Sequence, residues 1–275
     1  MNFAEQEDTM NSPVSKTVVI DCFPENAGRY KQDGYAVVAI DVIRATTTVN
    51  TAVGMGRRCF PVATVDEALA VAANLDNPLM AGELGGDMPD GFHISNSPAL
   101  VSQHNDIHRP MVLLSTSGTK IIVAAKGSAA CYVASLRNYT AQIEHLIKNH
   151  AKVAVIGAGT RGEFREEDQL CCAWIADGLV QAGYSPADEQ TAKLIGRWRN
   201  APIEDMLVSN SVAYLKRSGQ LRDLDFVLAH IDDQASVFEL QGNEVVMLPP
   251  NRASLTEPPG YLEPKSALPQ LNANL

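Results

Sequence analysis

Short runs of β-branched and aliphatic residues alternate along the chain with stretches whose apolar residues recur every three or four positions. The first pattern is typical of strands and the second of helices. Residues 35–40 are apolar on both faces, which indicates a strand in the centre of a sheet. The strands predicted in this way lie at residues 18–20, 35–40, 59–62, 79–81, 111–114, 131–134, 153–156 and 226–228.

Helices are predicted between these strands, and a hairpin is predicted after them. Thr64 and Glu67 have the spacing of a capping box, which predicts that a helix begins at Val65. The turn residues Gly242 and Asn243 separate two apolar runs, 236–240 and 244–248, as in a β-hairpin. The predicted helices run through Val49 and Ala52 and over residues 65–75, 120–125, 139–148, 166–181, 189–198 and 202–217.

This alternation predicts an α/β fold, with three layers (α/β/α) around a largely parallel, mixed central sheet. The domain is expected to span residues 17–250, and a division into two lobes would fall near residue 150. Residues 1–16 are polar and are predicted to be a disordered N-terminal extension. Residues 251–275 are rich in proline and are predicted to form a tail.

The composition narrows the classes of partner. A formal net charge of −10 argues against nucleic acid and against anionic lipid, both of which favour a basic surface. No run approaches the roughly 20 apolar residues of a membrane span, and the acidic start of the chain differs from a signal peptide. The five cysteines include no Cys-x-x-Cys pair, so we expect a reduced, cytoplasmic protein. Homo-oligomer formation stays open.

Three loops at strand ends share one design, in which hydroxyl groups or glycines stand where a strand passes into a helix. They are residues 41–48, 115–119 and 157–162. Backbone N–H groups at a helix start attract anions, and Arg44 and Arg161 would add charge-assisted hydrogen bonds. Ordinary helix capping explains any one loop equally well. The candidate substrate-binding residues in these loops are Thr46, Thr47, Thr116, Ser117, Gly118, Thr119, Gly159 and Thr160.

Three carboxylates are candidate ligands of Mg²⁺. Asp41 follows a buried strand, Glu83 follows another, and Asp168 begins the apolar face of helix 166–181. Oxygen ligands of this kind suit Mg²⁺, which also keeps waters and bridges to phosphate. Each residue has a structural alternative: Asp41 could pair with Arg44, Glu83 could hold its loop, and Asp168 could favour the helix dipole.

Three other motif matches are weaker. Residues 157–162 have the glycine spacing of a dinucleotide-binding loop, yet the charged segment 163–168 intervenes before the helix. Cys131 and Arg137 have tyrosine-phosphatase spacing, but the intervening residues form a predicted buried strand. Asp223 and Asp225 have phosphoaspartyl-phosphatase spacing, but a predicted turn precedes them instead of a buried strand.

In their order along the chain, these segments resemble the 2-phosphosulfolactate phosphatase family. The resemblance is carried by residues 41–48, 61–68, 82–98, 116–119 and 159–168, within a match over roughly 17–250. It implies an α/β/α fold and a Mg²⁺-dependent phosphatase that converts 2-phosphosulfolactate to sulfolactate and phosphate, in coenzyme M biosynthesis. Asn96 and Ser97 lie in the segment that resembles the family's central loop, which makes them substrate-binding candidates.

The chain departs from the family pattern at four positions. Leu84 stands where the family usually has Arg, His93 where it has Asp, and Ser95 where it has Gly. Ser117 often appears as Asn. The first two changes remove a cation and an acid from one loop, which bears on the identity of the substrate.

We therefore expect a Mg²⁺-dependent hydrolase of a small anionic phosphate ester. Asp41, Arg44, Arg161 and Asp168 are the candidate catalytic residues, with Asp41, Glu83 and Asp168 as metal ligands. Two alternatives stay open. One is a non-catalytic anion-binding or regulatory protein on the same fold, and the other is an NAD-dependent oxidoreductase that uses the 157–162 loop.

Overall fold

The computed structural model describes residues 15–159 and 163–249. The expected N-terminal extension, apart from its last two positions, and the expected tail lie outside the described residues. So do Thr160 and Arg161, two of the three site candidates in the third loop.

All strands of the described residues join one sheet. They are β1 (Thr17–Cys22), β2 (Ala36–Ile40), β3 (Cys59–Val62), β4 (Leu79–Gly82), β5 (Met111–Leu114), β6 (Ala130–Ala134), β7 (Lys152–Gly157), β8 (Ser185–Pro186), β9 (Phe238–Gln241) and β10 (Glu244–Met247). The strand order is β4-β5-β3-β10-β9-β6-β2-β7-β1-β8. Neighbours are parallel except around the β9–β10 hairpin, which is antiparallel to both of its flanking strands. The mixed, largely parallel sheet confirms the predicted fold class.

The hairpin is also confirmed, but its position is unexpected because it lies inside the sheet. It joins a three-stranded parallel part, β4-β5-β3, to a five-stranded parallel part, β6-β2-β7-β1-β8. In the second part β2 pairs with both β6 and β7, so residues from both sides of position 150 form neighbouring strands. The lobe division stays a prediction.

The helices are α1 (Ala27–Gln32), α2 (Ala45–Gly54), α3 (Val65–Ala72), α4 (Pro98–Gln103), α5 (Gly118–Ala124), α6 (Tyr139–Asn149), α7 (Glu166–Gln181), α8 (Glu189–Trp198), α9 (Asn210–Arg217) and α10 (Leu221–Ala229). Short 3₁₀ helices lie at Pro24–Asn26 and Ile203–Val208. Within the described ranges, no helix combines the length and the apolar character needed to cross a bilayer. Thr64 caps α3 as predicted, since its hydroxyl accepts from the Glu67 N–H at 3.1 Å.

The side chains of the sheet alternate between two apolar layers, which produces the three-layer arrangement. In β2, Val38 and Ile40 pack into a core shared with α6, α7 and α8. The intervening Val37 and Ala39 pack into a second core shared with α1, α2, α4 and α5. At the β4-β5-β3 end, α3 covers the face opposite this second core. Every residue of β2 is buried, as its two-faced apolar pattern predicted.

Two predicted elements are wrong. The helix predicted at 202–217 is divided into a 3₁₀ helix and α9, because the Ser209 hydroxyl accepts from the Val212 N–H and starts a new helix. The strand predicted at 226–228 lies within α10. Leu224 and Val227 are buried there at helical spacing, and a three-residue apolar run does not distinguish the two structures.

The loops after β2 and β5 meet at the carboxyl ends of their strands, although the two strands are far apart in the sheet. β2 and β5 are five positions apart in the strand order, which corresponds to about 24 Å in a flat sheet. Yet a Cβ built on Gly118, just after β5, would lie 2.3 Å from Oδ2 of Asp41, just after β2. The first and second strand-end loops therefore meet, and the cavity described next lies between them.

Candidate active site

A cavity of about 350 Å³ opens where the loops after β2, β4, β5 and β7 converge with α9. Seven of the predicted site residues line it: Asp41, Arg44, Glu83, Asn96, Thr116, Ser117 and Asp168. The other lining residues are Ile43, Gly85, Gly86, Ala158, Glu163, Arg165, Asn210, Ser211, Tyr214, Leu215 and Arg217. Parallel α/β sheets bind their ligands at the carboxyl ends of the strands, so both the position of the cavity and its lining are those expected of a ligand site.

Buried carboxylates are concentrated on one side of the cavity. The pKa of Asp41 is raised to about 7, first by burial and then by the charges of Glu83 and Glu167, against the opposing effects of the Ala45 N–H and Arg44. The pKa of Asp168 is also well above its ordinary value, first because of burial and then because of Glu167 and Asp41. Carboxylates that disfavour one another's charge in this way create a site with a strong preference for a cation or a shared proton.

Backbone contacts fix Asp168 beside Asp41. The Val42 N–H, immediately after Asp41, donates to Oδ1 of Asp168 at 2.8 Å. Asp168 lies in the first turn of α7, on the buried side of that helix, as its sequence pattern predicted. A hydrogen bond between residues 126 positions apart thus ties the loop after β2 to the start of α7.

Glu167 is a buried acid of this cluster that the sequence reasoning did not select. Its pKa is raised by burial, against the opposing effects of the Ser211 and Ser209 hydroxyls. Its Oε2 atom nevertheless has no hydrogen-bond partner among the described residues. The adjoining acids Glu166, Glu167 and Asp168 were visible in the sequence, but only the fold shows that two of them are buried.

Glu83 holds the neighbouring loops together. Its Oε1 accepts from the Thr116 N–H at 2.7 Å, and its Oε2 accepts from the Thr116 hydroxyl and the Gly86 N–H, each at 2.8 Å. The Thr116 hydroxyl in turn accepts from the Gly85 N–H at 2.7 Å. Glu83 therefore has the loop-holding role that was the alternative to metal binding, and Thr116 is engaged in the same network.

Arg44 is a buried cation at the cavity. Its Nη1 donates to Oδ2 of Asp223 at 2.7 Å and also to Oε1 of Gln220. Within the described ranges Arg44 has no ion pair with Asp41, although its charge lowers the pKa of that carboxyl. Arg44 therefore pairs with Asp223 of α10 and not with Asp41, the partner that the sequence allowed.

Several predicted substrate-binding groups do not reach the cavity, because their hydroxyls bond to nearby backbone or side chains. The Thr46 hydroxyl accepts from the Asp41 N–H at 2.9 Å, and the Thr47 hydroxyl donates to the Val42 carbonyl at 2.7 Å. The Thr119 hydroxyl accepts from the Ser115 N–H at 2.9 Å. Ser97 contacts Asp223, whereas Gly118 packs on Asp41 and Gly159 on Phe23. These residues shape the loops instead of lining the cavity.

Helix α9 forms a wall of the cavity that the sequence analysis missed. Asn210, Ser211, Tyr214, Leu215 and Arg217 all face it. The Tyr214 hydroxyl donates to the Gly86 carbonyl at 2.7 Å and so connects α9 to the loop after β4. No motif marked this helix, because its role depends on where it packs. Its buried and exposed residues alternate as on an ordinary surface helix.

Two of the departures from the family pattern in the central loop, Leu84 and His93, lie away from the cavity wall. Leu84 is partly exposed, and its backbone pairs with Asp87. His93 is exposed, and its Nδ1 accepts from the Met80 N–H at 2.8 Å. In this chain neither Leu84 nor His93 is among the residues that line the cavity.

The carboxylates suit Mg²⁺ chemically, although they do not form a complete cage. Within residues 15–159 and 163–249, no group of three or more His, Cys, Asp or Glu side chains is arranged to hold a metal ion. Mg²⁺ is commonly bound by only one or two carboxylates, with water and substrate phosphate at its other positions. Asp41 and Asp168 face one cavity, and the unpartnered Glu167 oxygen lies in the same acidic cluster. The residues that would hold the ion are Asp41 and Asp168.

Two glycines of the third loop, Gly157 and Gly159, pack against aromatic rings. A Cβ on Gly157 would lie 2.2 Å from the Phe164 ring, and one on Gly159 would lie 2.5 Å from the Phe23 ring. Helix α7 begins only at Glu166. A dinucleotide site needs such glycines to face the pyrophosphate at a helix start, so this packing disfavours the NAD alternative.

The other two motif matches have structural explanations. Cys131 lies in buried β6, where burial raises the pKa of its thiol to about 12, and Arg137 pairs with Asp233 at 2.6 Å. Asp223 lies in α10 and pairs with Arg44, while Asp225 is exposed on the same helix. Neither arrangement offers a reactive nucleophile.

Comparison with known proteins gives a consistent result. The family model described as 2-phosphosulpholactate phosphatase matches residues 22–243. A probable 2-phosphosulfolactate phosphatase of Synechococcus sp. (strain WH7803) is 30% identical over 213 residues, covering 75% of this chain and 86% of the relative. A protein of the same description from Symbiobacterium thermophilum is 37% identical over 152 residues, covering 54% and 64%.

A third such protein, from Caldicellulosiruptor saccharolyticus, is 27% identical over 223 residues, covering 78% of this chain and 92% of the relative. These matches extend over both parallel parts of the sheet and over the loops that line the cavity. The chain therefore belongs to the 2-phosphosulfolactate phosphatase family, a family of phosphoric monoester hydrolases.

Proposed function

We propose that the protein is a Mg²⁺-dependent phosphatase of a small phosphorylated acid, with 2-phosphosulfolactate as its substrate. The observation that carries the proposal is that one cavity is lined both by the buried carboxylates Asp41 and Asp168 and by the buried guanidinium of Arg44. Acids of raised pKa attract a divalent cation, and a fixed guanidinium attracts phosphoryl oxygens. The relatives' names supply the substrate.

In the proposed reaction, water attacks phosphorus and the ester P–O bond breaks. The products are an alcohol and inorganic phosphate, and the water proton is transferred to the leaving oxygen or to the phosphate. Asp41 and Asp168 would hold Mg²⁺, which supplies positive charge to the phosphoryl oxygens when bound. Arg44 offsets charge on the same oxygens, as positioned donors do in phosphoryl transfer.

The second acid group of the substrate requires its own contacts. Arg165 and Arg217 line the cavity and supply further cationic groups. Arg165 is paired with Glu163, whereas Arg217 has no ion pair in the described part of the chain. We assign the sulfonate or carboxylate of the substrate to contacts with these arginines, with Asn96 and Ser117 as further polar contacts.

Phosphate release from a panel of esters tests the proposal. The panel is 2-phosphosulfolactate, phospholactate, phosphoglycolate and p-nitrophenyl phosphate, each measured with Mg²⁺ and with EDTA. We expect Mg²⁺-dependent release that is fastest with 2-phosphosulfolactate. Release from other esters alone would refute the substrate and keep the phosphatase, while equal rates in EDTA would refute the metal dependence. A folded protein that releases no phosphate would support the non-catalytic anion-binding alternative.

A further inference from the structure

The position of Arg44 depends on an acid that does not line the cavity. Arg44 is 5% exposed, and Asp223 on α10 is fully buried. The Nη1 atom of Arg44 donates to Oδ2 of Asp223 at 2.7 Å, across 179 positions of sequence. Gln220, at the start of α10, supplies a second acceptor to the same Nη1 atom.

The other oxygen of Asp223 organises a second segment of the site. Its Oδ1 accepts from the Ser97 hydroxyl at 2.5 Å and from the Ala99 N–H at 3.3 Å. Ser97 caps α4, since its hydroxyl also accepts from the Leu100 N–H. One carboxylate thus fixes both Arg44 and the turn that carries Asn96, and both of those residues line the cavity.

This arrangement leaves part of the guanidinium available to a ligand. In the described ranges, Nη1 is the only Arg44 side-chain nitrogen that makes a hydrogen bond, so Nε and Nη2 are not used by the network. A buried charge without a partner is strongly disfavoured. Asp223 supplies the neutralising charge on the α10 side of Arg44, which keeps the guanidinium ordered when the cavity is empty.

We propose that Asp223 is the positioning residue for Arg44, fixing its guanidinium at the phosphoryl-binding cavity without touching the substrate. The proposal rests on the proposed function, in which Arg44 contacts the phosphoryl group. It also gives the aspartate of the phosphoaspartyl-like motif a role other than that of nucleophile, because both of its oxygens are engaged inside the protein.

The first test measures the binding of inorganic phosphate to the Mg²⁺-loaded protein by calorimetry, for Asp223→Asn and for the matched control Asp225→Asn. Asparagine retains the shape and an acceptor but loses the charge that holds Arg44. We expect Kd for phosphate to rise about tenfold or more in Asp223→Asn, since charge-assisted bonds are the stronger ones. Asp225 is exposed on the same helix, and its variant is expected to bind like the unmodified protein.

The second test separates positioning from general structure by a double-mutant cycle with Arg44→Gln. If Asp223 acts through Arg44, Asp223→Asn weakens phosphate binding less than twofold further in the Arg44→Gln background. Fully additive losses would overturn the proposal. If Asp223→Asn does not fold, Gln220→Ala removes the other acceptor of Nη1 at a half-buried position. Its effect is expected to be smaller and again to disappear in the Arg44→Gln background, and persistence of the effect would refute the proposal.

Phosphate binding also distinguishes this proposal from the proposed function. An unmodified protein that binds phosphate but hydrolyses no ester would refute the phosphatase and leave the cycle between Arg44 and Asp223 intact. Normal turnover with additive losses in the cycle would keep the phosphatase and refute the positioning role.

Discussion

Gly118 shows how a single residue sets the geometry of the cavity. A Cβ at this position would lie 2.3 Å from Oδ2 of Asp41, 2.7 Å from its Cβ and 2.8 Å from the Cβ of Ala45. Side chains do not approach this closely, so α5 and the loop after β2 can meet only with glycine here. The sequence suggested that Gly118 binds the substrate, whereas its observed role is to admit Asp41.

Gly118→Ala is therefore expected to displace Asp41 and lower kcat/KM for the ester by about tenfold or more, since small displacements at a reacting centre have large effects. Gly196→Ala is the matched control, because Gly196 lies within α8 and, apart from its chain neighbours and the backbone of its own helix, nothing lies within 4 Å of the position that a Cβ would take there. The control is expected to keep full activity and to gain about 1 kcal/mol of stability. Steady-state kinetics measure the activity of the two variants, and thermal unfolding measures their stability. Equal activity of the two variants would contradict this account.

Asp168 is expected to favour function at the expense of stability. Its buried carboxylate lies close enough to Asp41 and Glu167 for their charges to raise its pKa. In EDTA at pH 8, Asp168→Asn should therefore increase the free energy of unfolding by about 1–3 kcal/mol. The same change should abolish Mg²⁺-dependent turnover.

Glu166→Gln provides the control for this prediction, because it removes a negative charge from the same helical turn without changing the cavity lining. Chemical denaturation and phosphate release are measured on both variants. An Asp168→Asn protein that is less stable than the unmodified protein in EDTA would show that the acidic cluster is not repulsive.

At the scale of elements, α9 forms one wall of the cavity. Tyr214 joins this helix to the loop after β4, and Arg217 in its last turn is exposed and lines the cavity. The helix begins at Ser209, whose hydroxyl caps it.

Arg217→Ala is expected to raise KM for 2-phosphosulfolactate about fivefold to twentyfold, the range for loss of one charge-assisted contact. KM for p-nitrophenyl phosphate should change little, because that ester lacks a second acid group. Lys216→Ala removes a neighbouring exposed cation that does not line the cavity, and it should leave both constants unchanged. Equal effects of Arg217→Ala on the two esters would argue against a contact with the second acid group.

Local signals in the sequence were sufficient to locate most elements. Helices α7 and α8 have the predicted bounds, 166–181 and 189–198, and the structure adds that Asp188 caps α8. The helix predicted at 202–217 is wrong because Ser209 caps a new helix within a continuous apolar pattern.

The candidate site was harder to predict than the fold, because a hydroxyl in a loop does not reveal its partner. Thr46 and Thr47 bond to the backbone before and after Asp41, whereas Ser117 lines the cavity. The wall formed by α9 depends on packing between distant parts of the chain, which no local pattern encodes. Asp41 and Asp168 were predictable because acids beside buried apolar segments need partners.

For the whole molecule, the acidic cluster links stability to pH and to metal. The ordinary pKa of Asp41 is 3.8, and in the fold it is about 7. Because the folded pKa is the higher one, the stability that this group contributes is present below about pH 4 and is lost as the pH rises to about 7. Ionisation of the cluster above that range opposes the folded state until a cation binds.

Mg²⁺ is therefore expected to raise Tm more at pH 8 than at pH 6, since metal binding requires deprotonated carboxylates and stabilises the state that binds it. Differential scanning fluorimetry with Mg²⁺ and with Na⁺ at equal ionic strength separates binding from screening of the net charge of −10. The difference should disappear in Asp168→Asn. If Mg²⁺ raised Tm equally at both pH values, metal binding would not depend on deprotonation of this cluster.

The β9–β10 hairpin has a consequence for the order in which the molecule is made. Its residues leave the ribosome after those of every other strand described, yet its strands lie between the two parallel parts of the sheet. The strand pairing that connects the two parallel parts therefore forms only after residues 238–247 have emerged. Until those residues have emerged, the inner edges of β3 and β6 are unpaired strands open to misassembly.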